Sequence, residues 1–315
     1  MSAAQFIAAD WGTSHLRLFL CDAEGVAHDS NSGPGAAEVS GHFGDVFASL
    51  TARWEERHGV LPAVLCGMVG SSIGWTQAPY VPCPANPDQI AAACTPLEGG
   101  RIQIVPGLSC RNRFNAPDVL RGEETQILGA LRLEDKLRQG RWILCLPGTH
   151  TKWVVVEDGW VSEFVTAPAG ELFALLRDRS VLVRKPPGVA DQFDPDTFAK
   201  GLANFNEFPD AQVLHRLFEC RSRQLSGEFE AHAASSYLSG MLIASDVHGA
   251  LRVLSSAGTP RTVFLIGSPQ LTQLYASACA LSNYDTHQVD GAAASLAGLT
   301  QVYRRLVKKD PAYGI

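Results

Sequence analysis

Short apolar runs closed by glycine and acid turns alternate with longer stretches whose apolar residues recur every three or four positions. This is the pattern of an α/β chain. Residues 5–10 form an apolar run ending in Asp10-Trp11-Gly12-Thr13, Leu16 to Leu20 alternate as a strand, and Asp22-Ala23-Glu24-Gly25 supplies a turn. Phe43, Val46, Phe47, Leu50 and Trp54 share one stripe and predict a helix over 42–58, stopped by Gly59. Residues 63–69 read as a buried strand, 70–84 as a loop whose prolines exclude regular structure, and 102–105 as a strand. A helix is expected from Glu123 to about Arg138. Strands at 142–146 and 152–156, joined by Pro147-Gly148-Thr149-His150, precede the turn Asp158-Gly159 and a strand through Val165. Residues 170–253 read as mostly helical, broken at Lys185-Pro186-Pro187-Gly188. A strand over 262–266 then leads through Gly267-Ser268-Pro269 into a helix, and a last helix begins near Ala292.

One repetition stands out. Residues 7–20 and 143–156 share an order: apolar strand, Gly-Thr turn, polar pair, apolar strand, acid-and-glycine turn. Gly12-Thr13 and Gly148-Thr149 correspond. The repeat is far less regular than that of a solenoid. Two such hairpins, one per half, are what a fold needs if it clamps a phosphate chain from both sides.

The chain has 315 residues, enough for two domains of ordinary size, and its 46% hydrophobic and 18% charged residues describe a globular protein with a sizeable core. A net charge of −6 argues against nucleic acid, whose backbone calls for clustered Lys and Arg. Arg304-Arg305 with Lys308-Lys309 read as the solvated face of the terminal helix. No apolar run approaches the roughly 20 residues of a membrane helix, and no basic-then-apolar leader opens the chain. The eight cysteines form no C-x-x-C pair, which points to reduced, buried thiols and a cytoplasmic protein.

A tight glycine turn between strands leaves amide groups pointing outward, a ready anion site, and a Thr hydroxyl adds a donor. Asp10, closing a buried strand, can hold Mg²⁺ through its waters. The plain alternative is a pair of ordinary hairpin turns. The residues around them carry a resemblance: Asp10-Trp11-Gly12-Thr13-Ser14-His15-Leu16-Arg17 resembles the first phosphate motif of the sugar kinase/actin/Hsp70 superfamily. Pro147-Gly148-Thr149-His150-Thr151-Lys152-Trp153 resembles the second, and Phe264-Leu265-Ile266-Gly267-Ser268-Pro269 the adenosine motif. Gly67-Met68-Val69-Gly70-Ser71, Gly74-Trp75, Ala78-Pro79-Tyr80, Arg121-Gly122-Glu123-Glu124-Thr125-Gln126, Gly170-Glu171-Leu172 and Leu217-Phe218-Glu219 with Arg221 extend the likeness to the 2-dehydro-3-deoxygalactonokinase family. His15 and the stretch 166–169 depart from that family's pattern.

The resemblance implies a two-lobed actin-like ATPase (ribonuclease H-like) fold, with mixed sheets flanked by helices and an interlobe cleft. The expected N-terminal lobe is 1–120 plus 291–315, and the C-terminal lobe 121–290. It implies transfer of the ATP γ-phosphate to the 6-hydroxyl of 2-dehydro-3-deoxy-D-galactonate in galactonate breakdown, with ATP and Mg²⁺ required. A homodimer is left open, and no nucleic acid or membrane partner is expected. Asp10 takes the metal, while Gly12, Thr13 and Ser14 from one lobe and Gly148, Thr149, His150 and Thr151 from the other cradle phosphates, with Gly267 and Ser268 at the nucleoside. Arg17 and Lys152 either offset phosphate charge or lie in solvent, and His150 is alternatively a plain turn residue. The superfamily places an acid at the head of the lobe-linking helix, which makes Glu124 the first choice of base and Glu123 the second, ahead of Asp118. Acids in a first helical turn are also favoured by the helix dipole alone. Arg121 is the candidate for the substrate carboxylate, with Gly70 and Ser71 as further donors. Trp75 and Tyr80 form either a wall of the sugar pocket or plugs of the core. The rival readings are a kinase of the gluconate-derived epimer and, in another class, a non-catalytic nucleotide or sugar sensor.

Overall fold

The computed structural model describes residues 4–184, 192–208, 210, 212–310 and 313; the break expected at 185–188 lies outside them. The strands are β1 (Phe6–Trp11), β2 (His15–Cys21), β3 (Ala27–Pro34), β4 (Ala63–Gly67), β5 (Tyr80–Pro82), β6 (Thr95–Leu97), β7 (Ile102–Ile104), β8 (Gly107–Arg111), β9 (Pro117–Leu120), β10 (Arg141–Leu146), β11 (Thr151–Glu157), β12 (Trp160–Ala167), β13 (Thr262–Gly267) and β14 (Asp285–Asp290). The helices are α1 (Ala36–Val39), α2 (Phe43–His58), α3 (Pro87–Ala92), α4 (Glu123–Leu133), α5 (Ala169–Arg179), α6 (Pro195–Glu207), α7 (Val213–Arg216), α8 (Glu219–Leu225), α9 (Ala234–Leu254), α10 (Pro269–Leu281) and α11 (Gly291–Lys309).

Contacts divide the chain into two units, one of Met1–Gly140, Val156–Phe164 and Val289–Ile315, the other of Arg141–Val155 and Val165–Gln288. The main sheet of the first unit runs β3-β2-β1-β4-β7-β6, and the second sheet β12-β11-β10-β13-β14. In the first, β1 pairs antiparallel with β2 and parallel with β4; in the second, β10 pairs parallel with β13. The repetition seen in the hairpins therefore extends to the strand order of both sheets. The hairpins were legible because their strands are apolar. The third strand of the first sheet was not, because β3 (AHDSNSGP) is a polar, almost wholly exposed edge. β14 escaped notice for the same reason. The loop predicted over 70–84 holds the short β5, which joins β8 and β9 in a small third sheet.

Each unit has its own core. In the first, Ile7, Ala9, Trp11, Leu16 and Leu18 from the sheet meet Phe43, Phe47 and Trp54 from α2, all buried. The second is built on Ile143, Cys145, Trp153 and Val155 with Leu238, Leu242 and Val247 of α9 and Tyr275 of α10. Two stretches expected in the lobe of 121–290, α4 and residues 156–164, fall in the first unit. α4 belongs to the first unit, not to a lobe of 121–290, because α4 and α11 press backbone to backbone. A Cβ on Gly129 would stand 1.8 Å from the Ala294 carbonyl oxygen, and one on Gly298 would stand 1.9 Å from that of Thr125. No helix among the described residues is long and apolar enough to cross a membrane.

Candidate active site

In the first unit the Gly12–Ser14 turn is held from behind. Its carbonyls at Gly12 and Thr13 accept the amides of Ala36 and Ala37 at the head of α1, at 2.9 and 3.1 Å. That approach requires glycine at 35, where a Cβ would lie 2.2 Å from the Thr13 carbonyl oxygen. The Gly12 amide closes the turn on His15. Thr13 and Ser14 are exposed, and among the described residues no carbonyl takes their amides, so the donors face outward as an anion site requires. Asp10, on β1, receives Arg17 at 2.6 Å and the Ser295 hydroxyl at 2.9 Å, both on Oδ2. Arg17 is 44% exposed, so it stands beside the carboxylate with its face open to water.

The Arg-Gly-Glu-Glu block folds back on itself. Gly122, at φ 101°, turns the chain into α4. Glu123 Oε2 accepts the Arg121 amide at 3.1 Å, and Glu124 Oε2 accepts the Gly122 amide at 2.6 Å. The two acids then part company. Glu124 is fully buried, with Thr125 Oγ1 donating to its other oxygen, and burial, reinforced by Glu123, pushes its carboxyl up to about 8. A carboxyl raised that far holds its proton at neutral pH, and both its oxygens are already bonded, to the Gly122 amide and the Thr125 hydroxyl. Glu123 is half-buried. Asp118 points to Asn112 on the small sheet.

The sugar-side candidates divide likewise. Arg121 donates Nη2 to the Ala78 carbonyl at 2.8 Å and lays its guanidinium over the Tyr80 ring at 4.4 Å. Its Nε and Nη1 are buried and have no partner among the described residues, a costly state that a ligand's carboxylate would relieve. Gly70 makes the room, since a Cβ there would come within 2.9 Å of Nη1. Ser71 does not join them: its hydroxyl and its amide both donate to the Met68 carbonyl. Trp75 packs edge-on to Trp11 and against Phe47, as a plug of the core.

The second unit repeats the design of the first. The Glu171 amide donates to the Thr149 carbonyl at 3.0 Å, and a Cβ on Gly170 would lie 2.4 Å from the Gly148 carbonyl oxygen. The front of the turn is open: nothing lies within 4 Å of a Cβ built on Gly148. Gly148 and Thr149 form one end of a cavity of about 430 Å³ walled by Phe173 and Arg177 of α5, Ser235, Ser239 and Leu242 of α9, and Leu271, Leu274 and Tyr275 of α10. Apart from the turn and Gly170, these lining residues were missed. The signal available was a cluster of serines, Ser235-Ser236 and Ser239, in the otherwise apolar first half of α9. Gly267 and Ser268 stand beside Pro147 at the head of α10, next to the turn but off the cavity wall.

Three predicted phosphate residues point elsewhere. Thr151 is fully buried, with its hydroxyl 2.9 Å from that of Tyr275. Lys152 is 6% exposed and donates to Thr166, so it is neither in solvent nor on the open turn. β11 is covered on both faces, which internalises both residues. His150 is exposed but bonded to Glu171 at 2.7 Å. The eight cysteines are all free, burial pushes every thiol up, and none has the depressed pKa of a nucleophile. Among the described residues no three His, Cys, Asp or Glu side chains gather as a metal cluster.

Two sheets of one strand order, each opening on a glycine turn with outward amides, are the mark of an actin-like ATPase fold. The same fold occurs in the ADPNP-bound activator of 2-hydroxyisocaproyl-CoA dehydratase from Clostridium difficile, at a TM-score of 0.52, 10% identity and coverage of 99% of this chain and 98% of that one. Within that class the protein is a carbohydrate kinase. The model of the 2-keto-3-deoxy-galactonokinase family matches residues 10–302, and the chain belongs to that family. It is 32% identical to the 2-dehydro-3-deoxygalactonokinase of Escherichia coli K12 over 301 residues, 95% of this chain and 97% of its relative. It is 35% identical over 316 residues to a Rhizobium meliloti protein named as a probable 2-dehydro-3-deoxygalactonokinase, covering 97% and 98% of the two chains. A solved Sinorhizobium meliloti structure, provisionally assigned the same activity, superposes at a TM-score of 0.85 with 32% identity over 96% of this chain and 99% of that one.

Proposed function

We propose that the protein phosphorylates 2-dehydro-3-deoxy-D-galactonate on its 6-hydroxyl at the expense of ATP. Arg121 carries the reading: its guanidinium holds two buried, partnerless donors, fixed by Tyr80 and the Ala78 carbonyl, and suited to a carboxylate. Two residues on, Glu123 is half-buried and oriented by the Arg121 amide. It takes the proton of the 6-hydroxyl as that oxygen forms its bond to the γ-phosphorus and the bond to the ADP oxygen breaks. The Gly148–Thr149 turn binds phosphate, and the adjoining cavity takes the nucleoside, its apolar helices covering a base and its serines meeting the polar edge.

Asp10 fits a magnesium ion. It is a single carboxylate at a strand end, oriented through one oxygen by Arg17 and Ser295, and Mg²⁺ asks for one or two such groups besides phosphate and water. The ion would offset the charge of the transferring phosphates. The test of the substrate is kcat/KM for purified protein with ATP and each of the two epimers, the galactonate- and gluconate-derived 2-dehydro-3-deoxy acids. The galactonate-derived acid should be preferred, and a higher value with its epimer would overturn the assignment.

A further inference from the structure

A half-buried carboxylate that the chemistry above does not use ties the second unit's proposed nucleotide elements together. Asp246, on α9, accepts the Tyr275 hydroxyl of α10 on Oδ2 at 2.7 Å and the Trp153 indole of β11 on Oδ1 at 2.9 Å. The Tyr275 hydroxyl also lies 2.9 Å from Thr151, the first residue after the Pro147–His150 turn. Tyr275 itself lines the cavity whose other end is Gly148 and Thr149. One carboxylate thus joins the strand leaving the phosphate turn, the helix headed by Gly267-Ser268 and the helix carrying the cavity's serines. Drawing an acid even partly out of water costs stability, so its presence among these three elements needs a reason.

We infer that Asp246 is a positioning residue for ATP: through Tyr275 and Thr151 it fixes the cavity wall and the Gly148–Thr149 turn in the geometry that binds the nucleotide. The inference rests on the assignment of this cavity to ATP. Burial raises the Asp246 carboxyl to about 6, while its three donors pull the other way. The titratable groups facing it are Cys145 on β10 and Tyr275 and Cys279 on α10, all pushed up by burial and neutral near pH 6. β11 presents only Thr151 and Trp153. The carboxylate is therefore the group of this cluster that titrates there.

In Asp246→Asn an amide nitrogen must face one of the three donors, Trp153, Tyr275 or Thr151. The KM for ATP and the Kd of a fluorescent ATP analogue should rise about tenfold, with the KM for the sugar acid held within about twofold. The wild-type ATP KM should rise as pH falls below about 6, relative to a flat profile in the Asn variant. Tyr275→Phe keeps the ring in the cavity and removes the hydroxyl, so it should give the same ATP-selective rise. A folded variant of either kind with unchanged ATP affinity, or with both KM values rising in parallel, would overturn the inference. Ser239→Trp fills the cavity and separates the two ideas: if ATP still binds normally there, the cavity assignment fails, whatever the Asp246 result.

Discussion

Adjacent residues at a helix head can have opposite fates, and Glu123 and Glu124 show why. Neighbours on a helix point about 100° apart, so at the edge of a buried face one side chain can turn inward while the one before it stays nearer solvent. Here Glu124 turns inward beside Cys66 and Thr125, and Glu123 stays accessible. Glu123→Gln should lower kcat roughly 10²-fold or more, whereas Glu124→Gln, which mimics the neutral acid, should turn over nearly normally. The reverse pattern in a steady-state assay would exchange the roles. Glu124 has its own signature in stability. Its folded pKa of about 8 lies above the ordinary 4.5, so the native state binds the proton more tightly. That contribution is complete below about pH 4.5 and is lost as pH rises toward 8. Thermal melts from pH 5 to 8.5 should show the wild type losing Tm relative to Glu124→Gln, and parallel curves would refute the buried, protonated state.

At the level of elements, the same device is used twice. A helix begins with its amides on the carbonyls of a hairpin turn, through α1 on Gly12–Thr13 and α5 on Thr149, with a glycine at the closest approach. Turning the carbonyls toward a helix leaves the amides on the opposite side, which makes a plain turn an anion site. Two glycines of the second turn should then fail differently. Gly170→Ala must push on the Gly148 carbonyl, costing roughly 1–3 kcal/mol and several degrees of Tm. Gly148→Ala meets no atom, so its Tm should hold while the KM for ATP climbs, because the methyl occupies the phosphate's approach. Calorimetry beside kinetics checks the pair, and a Gly148→Ala protein with normal ATP kinetics would remove that turn from the phosphate site.

For the whole molecule, the residues proposed for each substrate fall in different units. Arg121 belongs to the first unit, and the cavity beside Gly148 belongs to the second. Arg121→Met, which keeps bulk over Tyr80 but removes the donors, should raise the KM for the sugar acid 10- to 100-fold, the loss expected for charge-assisted hydrogen bonds. The KM for ATP should stay put. Equal effects on both would mean that Arg121 supports the fold and not the sugar acid.

Local chemistry made much of this readable from the chain alone. Apolar runs ending in Gly-Thr turns announced both hairpins, the α2 stripe announced its burial, and the Arg-Gly-Glu-Glu block marked the residues of the proposed sugar-acid site. What stayed hidden depended on partners far away in sequence. Thr151 and Lys152 follow an exposed turn in the sequence, and only the folded chain buries them along β11. The cavity is walled by α5, α9 and α10, and no one segment of sequence displays it. α4 was assigned to the wrong half because the fit of Gly129 and Gly298 is a property of two helices together. The sequence by itself determined the two apolar hairpins and the glycine turns that close them, since both follow from neighbours along the chain. Tertiary packing alone decided which acid is exposed, which hydroxyl is enclosed and where a nucleotide has room, because burial is conferred by residues that the chain brings together only on folding.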